Sequence, residues 1–275
     1  MRGDLSRLSL NQATLPAWDV AQAVDGCARE GIGWIGLWRD RVSEAGLDRA
    51  AALVRDAGMR VSSLCRGGWF LQGRPDRRRE DNLRAVEEAH QLGAGCLVLV
   101  CGPAADRDLD AARRAVEEAV VELEPHARAA GVRLAVEPLH PMFCGDRSLI
   151  VTLEQARALA CRAGESVGVV VDAYHVWWDP DLEASIRRAA SRILGFHVSD
   201  WVVPPPDFLN GRGLMGDGVI DLRGIRRQVD AAGYAGPIEV EIFNRELFAR
   251  DPERALREIA RRYLDHVLEP VETSQ

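Results

Sequence analysis

The chain has 275 residues, a length that one large core can absorb, and its 47% apolar and 28% charged residues are an ordinary globular balance. Its formal net charge of −7 argues against nucleic acid as the main partner, because phosphate binding draws on surplus positive charge. All 35 basic residues are arginine, which excludes a lysine Schiff base, a lysine-anchored pyridoxal phosphate and a phosphate-loop lysine.

The six cysteines are Cys27, Cys65, Cys96, Cys101, Cys144 and Cys161. They contain no Cys-x-x-Cys pair and fall mostly in expected strands and helices, the pattern of free buried thiols. The segment Met1–Ser6 has no apolar signal core, and no apolar run approaches membrane-spanning length. The expected location is cytoplasmic, with no membrane partner.

Eight short apolar runs alternate with amphipathic segments. In chain order the expected strands are Leu8–Gln12, Trp34–Trp38, Arg60–Leu64, Cys96–Cys101, Arg133–Pro138, Val167–Asp172, Ile193–Ser199 and Ile238–Phe243. They are rich in Val, Ile and Leu with little polar alternation, as in strands buried on both faces of a parallel sheet. Between them the spacing predicts helices such as Asp19–Glu30, Leu47–Ala57, Asp108–Ala130 and Leu222–Ala232. Each is followed by glycine, the expected left-handed stop: Gly31, Gly58, Gly131 and Gly233. This unbroken alternation predicts an α/β chain forming one (βα)8 barrel over residues 1–275, with a frayed tail at 268–275. The longest non-helical stretches, Arg66–Pro75, Leu139–Ile150 and Asp200–Ile220, all follow strands, on the face where such barrels carry their chemistry.

Four residues close successive apolar runs: Glu137, Asp172, His197 and Glu241. A charged residue ending a buried strand costs too much desolvation to stand without a partner. Four in register, on the fifth to eighth strands, point to one shared divalent metal. Three carboxylates and one imidazole form a hard, oxygen-rich set, so Mn²⁺ is the first expectation, with Mg²⁺, Co²⁺ or Zn²⁺ as alternatives. The competing reading is that they cap strands or pair with arginines. Glu239 competes with Glu241 on the same strand face; Glu241 is preferred because it lies nearer the strand end.

The stretches "VEPLHP", "VVVDAYHVWWDP", "FHVSDW", "GRGLMGDGVIDL" and "GPIEVEIFN" resemble the xylose-isomerase-like TIM-barrel superfamily of sugar isomerases and epimerases. The resemblance covers most of the chain and is strongest from Val132 to Asn244. It implies that Glu137, Asp172, His197 and Glu241 hold one divalent ion, with Glu137 and Glu241 also serving as the acid/base pair. It further implies that His175 contacts and polarises a substrate oxygen, and that Arg212 reaches back to substrate. The chemistry such a site supports is removal of a proton α to a carbonyl, with the developing enediolate stabilised by the metal and the proton returned by a second carboxylate.

His140 and Arg147 follow the fifth strand, and His140 is a candidate base or substrate contact. His90, His126 and His266 fall in helices and read as structural. Trp38, Trp69, Trp177, Trp178 and Trp201 sit at or after strands, where Trp38 and Trp177 are candidates to stack on a sugar or aglycone. Asn11 and Gln12 are further polar groups at the mouth. "Gly-Asp-Gly-Val-Ile-Asp-Leu" reads as a turn and helix entry with Asp221 as N-cap.

The leading expectation is a metal-dependent isomerase or epimerase of a ketose, keto-acid or cyclitol. The alternative from the same superfamily is a dehydratase of an inosose or a lyase acting on a 3-keto-glycoside. An apurinic endonuclease would need more histidines and a basic face, and a non-catalytic sugar-binding subunit would show loss of a ligand. The expected partners are a small sugar or cyclitol and further copies of the chain, as a homo-oligomer.

Overall fold

The structure is a computed structural model that describes residues 4–104 and 107–268. Eight parallel strands close into a barrel: β1 (Leu8–Asn11), β2 (Trp34–Trp38), β3 (Arg60–Gly68), β4 (Leu97–Val100), β5 (Leu134–Val136), β6 (Val167–Asp172), β7 (Ile193–Val198) and β8 (Ile238–Val240). β8 pairs with β1, so no sheet edge is left open. Every residue of β1, β4, β5, β6 and β8 is buried, which is why these strands read as continuous apolar runs.

An outer layer of helices covers the barrel: Val20–Glu30, Leu47–Asp56, Pro75–Leu92, Leu109–Ala129, Leu153–Ala163, Leu182–Ala189, Leu222–Ala231 and Pro252–His266. Asp19 with Gln22, and Thr152 with Gln155, form reciprocal capping boxes. Asp221 caps its helix as expected, accepting from Gly224 N–H. The four glycines expected to stop helices all have positive φ, between 67° and 91°.

Several strand boundaries differ from the sequence reading, and two of them have a clear local reason. β3 runs on through Gly67 and Gly68, which pair with Leu99 and Val100 of β4. A Cβ on Gly68 would stand 2.2 Å from the Val100 carbonyl, so only glycine allows this approach. β8 stops at Val240 instead of Phe243, because Ile242 N–H leaves the ladder and donates to Thr14 Oγ at 3.0 Å. Two short helices, Arg39–Ala45 and Ala173–Val176, stand directly after β2 and β6, and a third, Arg245–Phe248, follows β8 after four residues. The expected frayed tail lies outside the described residues from position 269 on.

The main core lies between barrel and helices, with Leu8, Leu10, Ile35, Leu37, Leu134, Val169, Phe196 and Ile238 facing residues such as Val24, Ala89, Val120 and Ile259. A small separate cluster of Cys96, Val98, Ala135 and Val170, with Leu194 against it, lies apart from that core. These residues alternate along their strands with Leu97, Leu99, Leu134, Val136, Val169 and Val171 of the main core, so they face the barrel axis.

All six thiols are free: Cys27, Cys65, Cys96 and Cys101 are buried, Cys144 is half-buried and Cys161 exposed. Burial pushes Cys27, Cys96 and Cys101 up to about 12. Titration with a disulfide reagent at pH 8 should therefore consume Cys161 quickly and Cys144 more slowly. All six should react only after denaturation; rapid reaction of the buried four in native protein would contradict this packing.

Candidate metal centre

The four expected residues converge at the C-terminal end of the barrel. Glu137 is one residue past β5, Asp172 ends β6, His197 is the penultimate residue of β7, and Glu241 is one past β8. One donor atom from each lies within 4.8 Å of all the others. Backbone pairing continues just far enough to aim them, with Glu137 N–H donating to Leu99 O at 3.1 Å and Glu241 N–H to Val198 O at 3.2 Å. The four side chains are nearly sealed from water, at 5%, 0%, 2% and 6% exposure in chain order.

Three of the four side chains keep one atom without a hydrogen bond. Asp172 Oδ1 accepts from Tyr174 N–H at 2.8 Å, capping the turn Ala173–Val176, while Oδ2 has no hydrogen-bond partner. Glu137 Oε1 and His197 Nδ1 are 3.2 Å apart yet misaligned, and neither forms a hydrogen bond. Glu241 is clamped on both oxygens, by Asn11 Nδ2 at 3.1 Å and Arg212 Nη1 at 3.0 Å. These three buried atoms have ion-pair neighbours but no well-formed hydrogen bond, an arrangement that a common partner would relieve. An oxygen-rich set with one imidazole fits a divalent cation.

The electrostatics carry the same signature. Burial pushes Glu137 up, and it pushes Glu241 up to about 7 against the attraction of Arg212. Burial also works against ionisation of Asp172, but the positive charges of Arg212 and His197 more than offset it. His197 loses solvation too, yet Glu239 and then Glu137 outweigh that and raise it to about 10, so without an ion the imidazole is itself a cation.

Arg212 is brought in by the loop after β7 and is 3% exposed. Its guanidinium lies between Tyr174 and Phe243, 4.4 and 4.9 Å from their ring centroids, and within 3.5 Å of Asp172 Oδ2. Asp200 organises that loop by accepting from the N–H groups of Trp201, Gly216 and Ile220. His175 meets N–H donors at both ring nitrogens, His140 N at 3.2 Å from Nδ1 and Arg212 Nη2 at 3.2 Å from Nε2. Burial depresses it to about 3, so the ring is neutral.

The remaining expected residues divide. Trp38 is joined to the cluster through its Nε1–H, which donates to Asn11 Oδ1 at 2.9 Å, and its ring meets Phe243 edge-on. His140 and Trp177 pack instead against Trp201, at 4.9 and 5.5 Å between centroids. His140 Nδ1 accepts from Met142 N–H, so its ring also caps the turn Pro141–Phe143. Tyr174 and Phe243, which hold Arg212, escaped the sequence reading; Tyr174 sits between Asp172 and His175, and that adjacency was its one signal. A cleft of about 410 Å³ between helices Pro75–Leu92 and Leu109–Ala129 is lined by Phe70, Asn82 and His126 and by none of the four residues.

The chain belongs to the xylose isomerase-like TIM barrel family, whose model matches residues 24–266. It is similar to protein SMc04130 from Sinorhizobium meliloti 1021 at 46% identity and a TM-score of 0.93, over 96% of this chain and 99% of that one. The IolI protein, solved with a bound zinc atom, shares the fold at 21% identity and a TM-score of 0.82, over 95% and 98% of the two chains. So does 3-keto-D-glucoside 4-epimerase YcjR from E. coli, at 21% identity and 0.73, over 92% and 98%. No match to the chain is found among curated proteins. Among the described residues no helix is long and apolar enough to cross a membrane.

A metal competing for His197 and Glu241 must displace protons from them. At pH 7 calorimetry in buffers of different ionisation enthalpy should register release of about one to two protons per Mn²⁺ bound. Affinity should rise between pH 6 and 9. His197 is raised in the folded state, so in metal-free protein its contribution to stability is complete below its ordinary 6.5 and is lost as pH climbs through about 10. Binding without proton release would mean that His197 is not a ligand.

Proposed function

We propose that the protein is a divalent-metal-dependent isomerase or epimerase of a ketose, keto-acid or cyclitol, working by removal and return of a proton α to the carbonyl. The observation that carries this reading is the convergence of four buried donors within 4.8 Å, three of whose atoms have no hydrogen-bond partner. The shared fold with 3-keto-D-glucoside 4-epimerase supports it. Glu137, Asp172, His197 and Glu241 would hold the ion, Mn²⁺ ahead of Mg²⁺, Co²⁺ or Zn²⁺, and the ion would supply Lewis-acid stabilisation of the negative charge developing on substrate oxygens.

The chain's own residues do the rest. Glu241, pushed up to about 7, is matched to proton transfer at neutral pH, and Glu137 is the second carboxylate that returns the proton. Neutral His175 contributes one N–H to a substrate oxygen, since a neutral ring accepts at only one nitrogen. Arg212 offers a fixed fork of donors, its geometry set by two aromatic faces. Trp38 supplies an apolar wall at the β2 end, with Trp177 and His140 on the β5–β6 side as further candidate contacts. The stacking of His140 on Trp201 gives no support to an elimination driven by that histidine.

The test is incubation of Mn²⁺-loaded protein in D₂O with ketoses, keto-inositols and 3-keto-glycosides, read by NMR and mass spectrometry. The expected outcome is carbon-bound deuterium in an isomer of unchanged composition. Glu241→Gln and Glu137→Gln should each cut turnover by roughly 10²- to 10⁴-fold, the usual contribution of a positioned acid or base. Loss of water or of an aglycone would transfer the protein to the lyases of the same superfamily.

A further inference from the structure

We propose that Glu239 is a positioning residue that fixes His197 in the tautomer presenting Nδ1 to the metal-binding cluster. This rests on the metal-dependent reading above and adds a residue beneath the four ligands. Glu239 lies on β8 two residues before Glu241, so its side chain enters the barrel on the same face, one layer lower. It is 2% exposed, and no arginine forms an ion pair with it among the described residues. A carboxylate so placed needs an explanation.

The barrel builds a cradle for it from three other strands, β1, β2 and β3. Asn11 Nδ2 donates to Oε1 at 2.7 Å, Ser62 Oγ donates to Oε2 at 2.6 Å, and Ser63 Oγ reaches both oxygens at 2.9 and 3.0 Å. Ser62 spends its proton on Glu239, so at its 2.8 Å contact with Ser9 it is the acceptor. On β2, a Cβ at Gly36 would fall 2.1 Å from Glu239 Oε1, so the absence of a side chain there makes the room. Three neutral donors hold both carboxylate oxygens and bring no positive charge to them.

The charged group that faces this carboxylate is His197, with Nε2 3.9 Å from Glu239 Oε1. The opposite nitrogen, Nδ1, points at the unsatisfied Glu137 Oε1. At 3.9 Å the carboxylate acts through its field, which in a buried site favours the N–H at Nε2 and leaves the Nδ1 lone pair for the cluster. Outer carboxylates that accept the second N–H of a ligating histidine orient it in the same sense, and removing such a partner typically weakens metal binding 10- to 100-fold.

The test compares wild type with Glu239→Gln, which keeps the shape and removes the charge, and with Ser63→Ala, which removes one donor from the cradle. Mn²⁺ affinity is measured by calorimetry, and the His197 ring nitrogens are followed by ¹⁵N NMR in the Zn²⁺-loaded protein. The expected result is a 10- to 100-fold loss of Mn²⁺ affinity in Glu239→Gln, with the Nε2–H signal shifted or lost to exchange. Ser63→Ala should shift both readouts in the same direction by less, and it keeps the inference testable if Glu239→Gln does not fold. Unchanged affinity with an unchanged His197 signal, in a wild type that does bind Mn²⁺, would overturn the role of Glu239 alone. A wild type that binds no Mn²⁺ would overturn the metal reading as well.

Discussion

The structure depends on how negative charge is kept out of water at one end of the barrel. Glu137, Asp172, Glu239 and Glu241 are all nearly inaccessible, and each buried ion costs several kcal/mol before partners are counted. The cost is met differently in two layers. Glu239 is held by neutral donors, one amide and two hydroxyls, with His197 3.9 Å away. The upper three share a space only a few ångströms across, where mutual repulsion is not answered by dipoles. They require cations: Arg212 at one side, His197 between, and the divalent ion proposed here at the centre.

Arg212 shows how a loop becomes part of such a site. Its strand of origin, β7, is two residues past its last ladder position when Asp200 collects three backbone N–H groups and folds the loop back on itself. Arg212 N–H then donates to Phe243 O, and Asn244 Nδ2 donates to Arg212 O, pinning the loop to the segment after β8. With the Tyr174 and Phe243 rings both packed against it, the guanidinium has little freedom to leave. Donors fixed before substrate arrives need no reorganisation during reaction, the feature that makes electrostatic stabilisation effective.

Much of this was legible in the sequence because barrel strands impose a simple rule: the residue that ends an apolar run points into the mouth. Glu137, Asp172, His197 and Glu241 obey it, and four obeying together is a strong pattern. Glu239 breaks the rule, since it lies inside its run, and its cradle comes from Ser9, Asn11, Gly36, Ser62 and Ser63, far away in the chain. Small polar residues and a glycine within apolar strands carry no local signal; only barrel closure, which sets β8 beside β1, gives them meaning. The tryptophans were hidden for another reason. Their positions after strands were readable, but His140 and Trp177 spend their faces on Trp201, a choice made by loop geometry rather than by spacing.

Asn11 ties these parts together. Its amide nitrogen donates to Glu239 Oε1 in the lower layer and to Glu241 Oε1 in the upper one, while its oxygen accepts from Trp38 Nε1 and Ala13 N–H. The assignment of O and N admits one solution, since a flipped amide would set oxygen against two carboxylates and nitrogen against two donors. One short side chain at the end of β1 therefore fixes the rotamer of a metal-set carboxylate, closes the cradle of Glu239 and orients the Trp38 wall. The spacing between the Trp38 ring and Glu241 is thus set by strand geometry. Such a link, made within the barrel strands, holds the cluster independently of the loops after β5, β6 and β7.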